Sequence, residues 1–198
     1  MVFLYMENIR KILKNKILIL DGAMGTMIQD YKLDENDYRG DKFSDYISSL
    51  KGNNDLLSIT QPKIIEDIHY KYLMAGADII ETNTFNANSI SQSDYNLEDF
   101  VFEMNFQSAQ IAKNAVKRFN KNNEDKKFVC GSIGPTNRTA SLSPKVEDLS
   151  FRNLTFDELY ATYYEQVDGL VKGGVDLLMI ETIFDTLNCK AAIIAINY

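Results

Sequence analysis

The chain has 198 residues, of which 45% are hydrophobic and 25% charged, a composition typical of a globular protein with one sizeable core. Its formal net charge of −7 argues against nucleic acid or an anionic membrane as a partner, because both select clustered Lys and Arg. No apolar run is long enough to cross a bilayer, and residues 1–16 lack the charge order of a secretory signal. These features predict a single cytoplasmic domain that binds a small molecule or another protein.

Four short runs rich in Ile, Val and Leu are predicted as strands. In chain order they are 16–20 (KILIL), 77–81 (ADIIE), 127–134 (KFVCGSIG) and 175–181 (VDLLMIE). Longer helical patterns separate the runs, so strands and helices alternate along the chain. Because the runs are apolar on both faces, as in a parallel sheet covered by helices, the pattern predicts an α/β fold.

Three of the helices have recognisable ends in the sequence. The first is predicted to be capped by Thr60 and to stop at Gly76, and the second covers residues 97–119. The third opens with a capping box formed by Thr155 and Glu158. Each helix carries an apolar stripe at a spacing that predicts packing against the sheet.

Two of the predicted strands repeat one pattern, in which an aspartate precedes the apolar run and a glutamate follows it. The pairs are Asp78 with Glu81 and Asp176 with Glu181. Their spacings differ by two residues, one strand period, so both glutamates are predicted to face the same side. Asp21 adds a third carboxylate at a strand end, although an aspartate before glycine is also a common turn former. In parallel α/β folds ligands bind at this end of the strands.

The remaining residues with reactive or aromatic side chains are interpreted as structural. Cys130 and Cys189 have no paired spacing and are predicted to be reduced, small core residues. His69, within a helix, is expected to be a solvated or half-buried structural histidine. Tyr163 and Tyr164 are expected in the core. Pattern alone therefore predicts an α/β protein with a ligand site lined by carboxylates, and no particular reaction.

Six strings, in this order, resemble the homocysteine-binding module at the N-terminus of cobalamin-dependent methionine synthases, within the homocysteine S-methyltransferase family. They are LDGAMGTMIQDYKLDENDYRG, KGNNDLLSITQP, AGADIIETNTFNA, GSIGPTNRTASLSP, FRNLTFDEL and GGVDLLMIETIFDTLNCKAA. The resemblance implies a TIM-type (βα)8 barrel, of which the first four βα units are expected here. It also implies that residues 1–198 form one homocysteine-binding domain, truncated after the fourth unit, with a helical lead-in at 1–15.

Cobalamin-dependent methionine synthases act in methionine biosynthesis. They transfer a methyl group from methylcobalamin to the zinc-activated thiolate of homocysteine. The resemblance therefore implies zinc and cobalamin as cofactors, and cobalamin and folate modules in the same enzyme or a companion chain. It assigns Asp21 and Glu181 to the substrate's ammonium group, and the main-chain N–H groups of Gly22 and Ala23 to its carboxylate. Further residues are expected to line the same mouth, namely Thr82, Asn83, Thr84, Gly134 and Pro135.

The family's zinc cysteines lie in strings of the types GxNC and GGCCG, and neither string occurs in this sequence. No metal ligand is therefore assigned, no catalytic residue is expected beyond those that position the substrate, and this chain is expected to be inactive alone. One alternative is a methyltransferase that uses betaine or S-methylmethionine as methyl donor, although the NRTASLSP and FRNLTFDEL strings favour the cobalamin-linked type. The other alternative is a non-catalytic fragment of such an enzyme.

Overall fold

A computed structural model describes residues 9–121 and 125–197, and the first eight residues of the predicted lead-in lie outside this part. Residues 9–13 are helical (α1). The other helices are α2 (Met24–Gln29), α3 (Glu35–Arg39), α4 (Leu57–Thr60), α5 (Pro62–Met74), α6 (Ser89–Gln92), α7 (Val101–Asn120), α8 (Phe156–Gly173) and α9 (Thr186–Asn197). The strands are β1 (Ile79–Glu81), β2 (Phe128–Ile133) and β3 (Leu177–Ile180). None of the described helices is long and apolar enough to cross a membrane.

The strands form one parallel sheet in the order β1-β2-β3, which confirms the predicted α/β class. The first predicted strand is reduced to a single parallel bridge between Leu20 and Ile79. The main chain still pairs around that bridge. The Ile79 N–H donates to the Ile19 carbonyl oxygen, and the Asp21 N–H donates to the Ile79 carbonyl oxygen. The described residues therefore contain three strands and one bridged segment, where the sequence predicts four strands.

The aspartates of the repeated pattern join neighbouring segments at the amino ends of the strands. Asp78, whose side chain is 3% exposed, accepts hydrogen bonds from the Ile19 N–H at 3.1 Å and from the Lys127 ammonium at 3.1 Å. Asp176 accepts from the Val129 N–H at 2.8 Å and from the Lys113 ammonium at 2.9 Å. The aspartates thus hold the sheet together and leave the opposite end of the strands to the glutamates.

The predicted ends of α8 are confirmed, whereas the second predicted helix, 97–119, begins later, at Val101. The Thr155 hydroxyl accepts from the Glu158 N–H, and the Glu158 carboxylate accepts from the Thr155 N–H, so the capping box of α8 is complete. Gly174 ends α8 in the left-handed conformation that favours glycine. The predicted Thr60 cap is wrong, because Thr60 is the last residue of α4 and Gln61 precedes α5.

Apolar side chains pack in three clusters, one among α2 to α7, one between α5, α7 and the first two strands, and one around α8, α9 and β3. Tyr163 is fully buried as predicted, whereas Tyr164 is 44% exposed because it lies on the outer face of α8. His69 is also fully buried, which corrects the expectation of a solvated or half-buried ring. Neither ring nitrogen of His69 has a hydrogen-bond partner among the described residues.

Helices α7 and α8 approach closely at Gly169. A Cβ atom at this position would lie 2.8 Å from the Cβ of Asn105 and 2.9 Å from the carbonyl oxygen of Phe102. Asn105 is buried and held by hydrogen bonds from its amide to the Ala87 and Val101 carbonyls, so it has little room to move. The absence of a side chain at Gly169 therefore sets the distance between the two helices.

We expect Gly169→Ala to lower the free energy of unfolding by about 1–3 kcal/mol, the usual result of overpacking. Helix propensity alone predicts the opposite sign, a gain of about 1 kcal/mol. Urea denaturation measures the difference. The matched control is Asp168→Ala, which removes only an exposed ion pair with Lys172 and should change stability by less than about 0.5 kcal/mol. A stabilised Gly169→Ala variant would contradict the close packing.

Candidate functional site

A cavity of about 350 Å³ opens at the carboxyl ends of the strands. Three carboxylates contribute to its wall, Asp21 after the bridged segment, Glu81 at the end of β1 and Glu181 directly after β3. Asp21 and Glu181, which the sequence assigns to one ligand group, therefore line the same cavity. Seven of the nine residues predicted for the site line this cavity, namely Asp21, Gly22, Ala23, Thr82, Asn83, Thr84 and Glu181.

Asp21 and Glu81 are joined through the main chain. The Oδ2 atom of Asp21 accepts a hydrogen bond from the Glu81 N–H at 3.0 Å. The other oxygen, Oδ1 of Asp21, is buried without a partner among the described residues, and so is Oε1 of Glu81. Buried polar atoms normally have a partner, so these two oxygens are unsatisfied acceptors in the unliganded protein.

Glu181 is positioned by β2 and by its own backbone. Its Oε1 atom accepts a hydrogen bond from the Ser132 hydroxyl at 2.5 Å, and its N–H donates to the Ile133 carbonyl. The next residue, Thr182, has a φ of 55°, which is unfavourable for a β-branched side chain. Strain of this kind is characteristic of functional sites, and here it occurs where the chain turns away from the cavity.

The electrostatic environment of the cavity favours a positively charged ligand. The pKa of the Asp21 carboxyl is raised to about 7, chiefly by burial and also by the Glu181 carboxylate, while main-chain N–H donors oppose the rise. The pKa of the Glu81 carboxyl is also raised to about 7, by burial and by the negative charges of Glu181 and Asp21. Among the described residues, none that lines the cavity is a lysine, an arginine or a histidine.

The side chains of Thr82, Asn83 and Thr84 are used to hold the wall in place. The two threonine hydroxyls are 2.6 Å apart, and Thr84 also donates to the Ser132 carbonyl at 2.8 Å. The Asn83 amide donates to the Asn54 carbonyl at 2.7 Å, which joins the cavity wall to the segment before α4. These contacts satisfy the side chains of this segment, whereas Oδ1 of Asp21 and Oε1 of Glu81 have no partner among the described residues.

The Gly22-Ala23 backbone lies beside the carboxylates and is bare of large side chains. The Tyr72 hydroxyl donates to the Ala23 carbonyl at 3.2 Å, and a Cβ at Gly22 would lie 3.3 Å from the Tyr72 ring. Neither the Gly22 N–H nor the Ala23 N–H donates to another described residue. Neither N–H group is therefore used in the hydrogen bonding of this part of the chain.

Gly134 and Pro135 do not line the cavity, in contrast to the expectation. Gly134 instead packs against the wall from behind, since a Cβ there would lie 2.2 Å from the Phe85 carbonyl oxygen. Five lining residues lie outside the predicted set, namely Met24, Gly25, Glu81, Phe85 and Ser132. The repeated pattern of aspartate and glutamate contains the signal for Glu81, because strand phase places it on the same side of the sheet as Glu181.

The described residues do not fit the zinc ion that the family resemblance implies. Among residues 9–121 and 125–197, no group of three or more His, Cys, Asp or Glu side chains could hold a metal ion. Cys130 is buried in β2, and burial together with the Glu81 carboxylate raises its pKa to about 12, whereas a zinc ligand must be a thiolate. Cys189 lies apart in α9. What this part of the chain offers to a ligand is carboxylates and main-chain N–H groups.

We expect the purified 198-residue chain to retain no stoichiometric zinc after dialysis, because a catalytic zinc site needs about three converging protein ligands. Elemental analysis of the chain after incubation with one equivalent of zinc tests this. Cys130→Ser and Cys189→Ser should leave the result unchanged. Tightly bound zinc that disappears in either variant would show that these thiols are metal ligands.

Comparison with known proteins relates this chain to a family. The sequence profile described as "Homocysteine S-methyltransferase" matches residues 18–198. Among solved structures, the homocysteine methyltransferase MmuM from Escherichia coli in its metallated form has a TM-score of 0.72 at 21% identity, and the match covers 95% of this chain and 62% of that chain. Its oxidised form gives a TM-score of 0.72 at 20% identity, over 95% and 61% of the two chains. At these identities the likeness concerns the fold, and this chain spans about 62% of the MmuM length.

Proposed function

The chain belongs to the homocysteine S-methyltransferase family, and on that premise we propose that its cavity binds the amino-acid end of homocysteine. The observation that carries the proposal is the set of three carboxylates around a cavity whose described lining residues include no cation. A buried carboxylate needs a cation or hydrogen-bond donors, and an α-ammonium group supplies both.

The two ends of the amino acid correspond to two parts of the cavity wall. Asp21 and Glu181 accept hydrogen bonds from the ammonium group, and the N–H groups of Gly22 and Ala23 donate to the carboxylate. The rigid segment Thr82–Thr84 closes the wall between them. Fixing both ends leaves the thiol as the free end of the substrate, so the chain's own contribution is to orient the nucleophile.

For the reaction itself we propose methyl transfer from methylcobalamin, as in methionine synthases, with residues 17–198 forming the first four βα units of a barrel. The sequential order of the bridged segment, β1, β2 and β3 supports a barrel of this kind. Zinc, when bound, would stabilise the thiolate of homocysteine, and its ligands, the cobalamin module and the folate module would come from outside the described residues. The NRTASLSP and FRNLTFDEL strings are what favours cobalamin over betaine or S-methylmethionine.

Calorimetric titration of the chain with L-homocysteine tests the binding proposal. The matched ligand is 4-mercaptobutanoate, which keeps the thiol and the carboxylate and lacks the ammonium group. We expect L-homocysteine to bind measurably more tightly, by a factor of about 10 or more, since a charged hydrogen bond contributes about 1.5–3 kcal/mol. Equal affinities for the two compounds, or no binding of either, would overturn the proposal.

A further inference from the structure

We propose that Glu81 is a third ligand-binding residue of this cavity, and that it shares with Asp21 a proton that the substrate's ammonium group displaces on binding. The inference rests on the proposed function and deepens it, because it assigns to the site a residue and a proton that the family resemblance does not assign.

Glu81 lies in the wall of the cavity that we propose binds the amino acid. Glu81 is the last residue of β1, the strand between the bridged segment that leads to Asp21 and β2, which carries Ser132. It lines the same cavity as Glu181. Its Oε1 atom and Oδ1 of Asp21 are both buried without a partner among the described residues. An α-ammonium group has three N–H donors, and three carboxylates around one cavity offer one acceptor to each.

The same geometry requires a proton when the cavity holds no cation. Burial disfavours the charged form of a carboxyl group, and carboxylates that share a buried site also repel one another, so one of them retains its proton near neutral pH. The raised pKa values of Asp21 and Glu81, both about 7, agree with this expectation. Glu181 raises the pKa values of both groups and Asp21 also raises that of Glu81, so the ionisation of one carboxyl group opposes the ionisation of the next.

The other titratable groups near the pair do not remove the need for this proton. From β2, Cys130 is a neutral thiol at these pH values, since its pKa is about 12. From α5, burial raises the pKa of the Tyr72 hydroxyl, so it is neutral as well. From the end of β3, Glu181 adds negative charge. An ammonium group that enters this cavity therefore meets a protonated pair, and the carboxyl O–H bond breaks as its proton passes to the solvent.

Calorimetry in two buffers of different ionisation enthalpy, phosphate and imidazole, measures this proton directly. The probe is L-methionine, which has the ammonium and carboxylate groups and no thiol proton to lose. At pH 6.5 we expect the wild-type chain to release about half a proton or more per ligand bound, and at pH 8.5 close to none, because the pair is then already ionised.

Glu81→Gln should reduce the release at pH 6.5 by at least about half and weaken binding at pH 8.5 several-fold, since one acceptor of the ammonium group is lost. The matched control is Glu165→Gln, because Glu165 is also partly buried with a raised pKa but lies in α8 outside the cavity. This control should leave both quantities unchanged. Circular dichroism checks that each variant is folded. The proton release of the wild-type chain tests the inference even if a variant fails to fold.

The outcomes separate this inference from the proposed function. Methionine that binds without proton release at pH 6.5, or with the same release in Glu81→Gln, would overturn the inference and leave the amino-acid site intact. Failure of both methionine and homocysteine to bind would overturn the proposed function. Release in the wild type that is diminished by Glu81→Gln and kept by Glu165→Gln would support both.

Discussion

Glu181→Gln is expected to weaken the binding of L-homocysteine by roughly 10- to 150-fold, which corresponds to about 1.5–3 kcal/mol, the contribution of a hydrogen bond to a charged group. The substitution keeps the size of the side chain and leaves an oxygen that can still accept from the Ser132 hydroxyl. It removes the negative charge that faces the ammonium group. Calorimetric titration at pH 8.5, where the other carboxylates are ionised, measures the change.

A second readout distinguishes loss of charge from a disturbed wall. The Glu181 carboxylate helps to raise the pKa values of Asp21 and Glu81, so Glu181→Gln should lower both. Carboxyl titration followed by NMR detects that shift in the unliganded chain. An affinity within about twofold of the wild type, at the precision of such titrations, would contradict the role of Glu181 in binding the ammonium group.

Acid is expected to destabilise the protein through His69, by about 3 kcal/mol in total. Burial lowers the pKa of the His69 imidazole to about 4, from an ordinary value of about 6.5. Between these values the unfolded chain binds a proton at His69 and the folded chain does not, so stability rises with pH across this window. The stabilisation is complete above about pH 6.5 and is lost as the pH falls towards 4.

His69→Leu isolates this effect because the chain contains one histidine. Asp21, Glu81 and Asp55 have raised pKa values, so they change stability in the opposite direction over a similar pH range, but they do so in both proteins. The measurement is urea denaturation of both proteins at several values between pH 4 and pH 7.5. We expect the free energies of unfolding to diverge as the pH falls, with the variant the more stable. Parallel pH profiles would contradict a neutral, buried His69.

The sequence predicts those parts of the fold that depend on local chemistry. The capping box of α8 follows from a short-range rule. The parallel sheet follows from the alternation of apolar runs with helical patterns along the chain. Residue type and spacing also fit Thr60 as a cap, but Thr60 ends α4 and another residue takes the cap position. Burial of His69 cannot be predicted from local pattern, because it depends on which helices cover α5.

The candidate site is predictable in part for a similar reason. Strand period places Glu81 and Glu181 on one side of the sheet, which is a local property of strands. Asp21 directly follows the bridged residue Leu20, and its position in the same cavity does not follow from strand period. The resemblance assigns ammonium binding to only two of them, and so leaves Glu81 without a role. It also places Gly134 in the cavity wall, yet the contact of Gly134 with Phe85 depends on how two loops meet in space.

The most direct test of the central claim is a crystal structure of this chain in complex with L-homocysteine. The proposed function predicts the ammonium nitrogen at hydrogen-bond distance, about 2.7–2.9 Å, from carboxylate oxygens of Asp21 and Glu181, with the substrate carboxylate beside the Gly22-Ala23 backbone. Density for the amino acid outside the cavity, or its ammonium group turned away from both carboxylates, would contradict it.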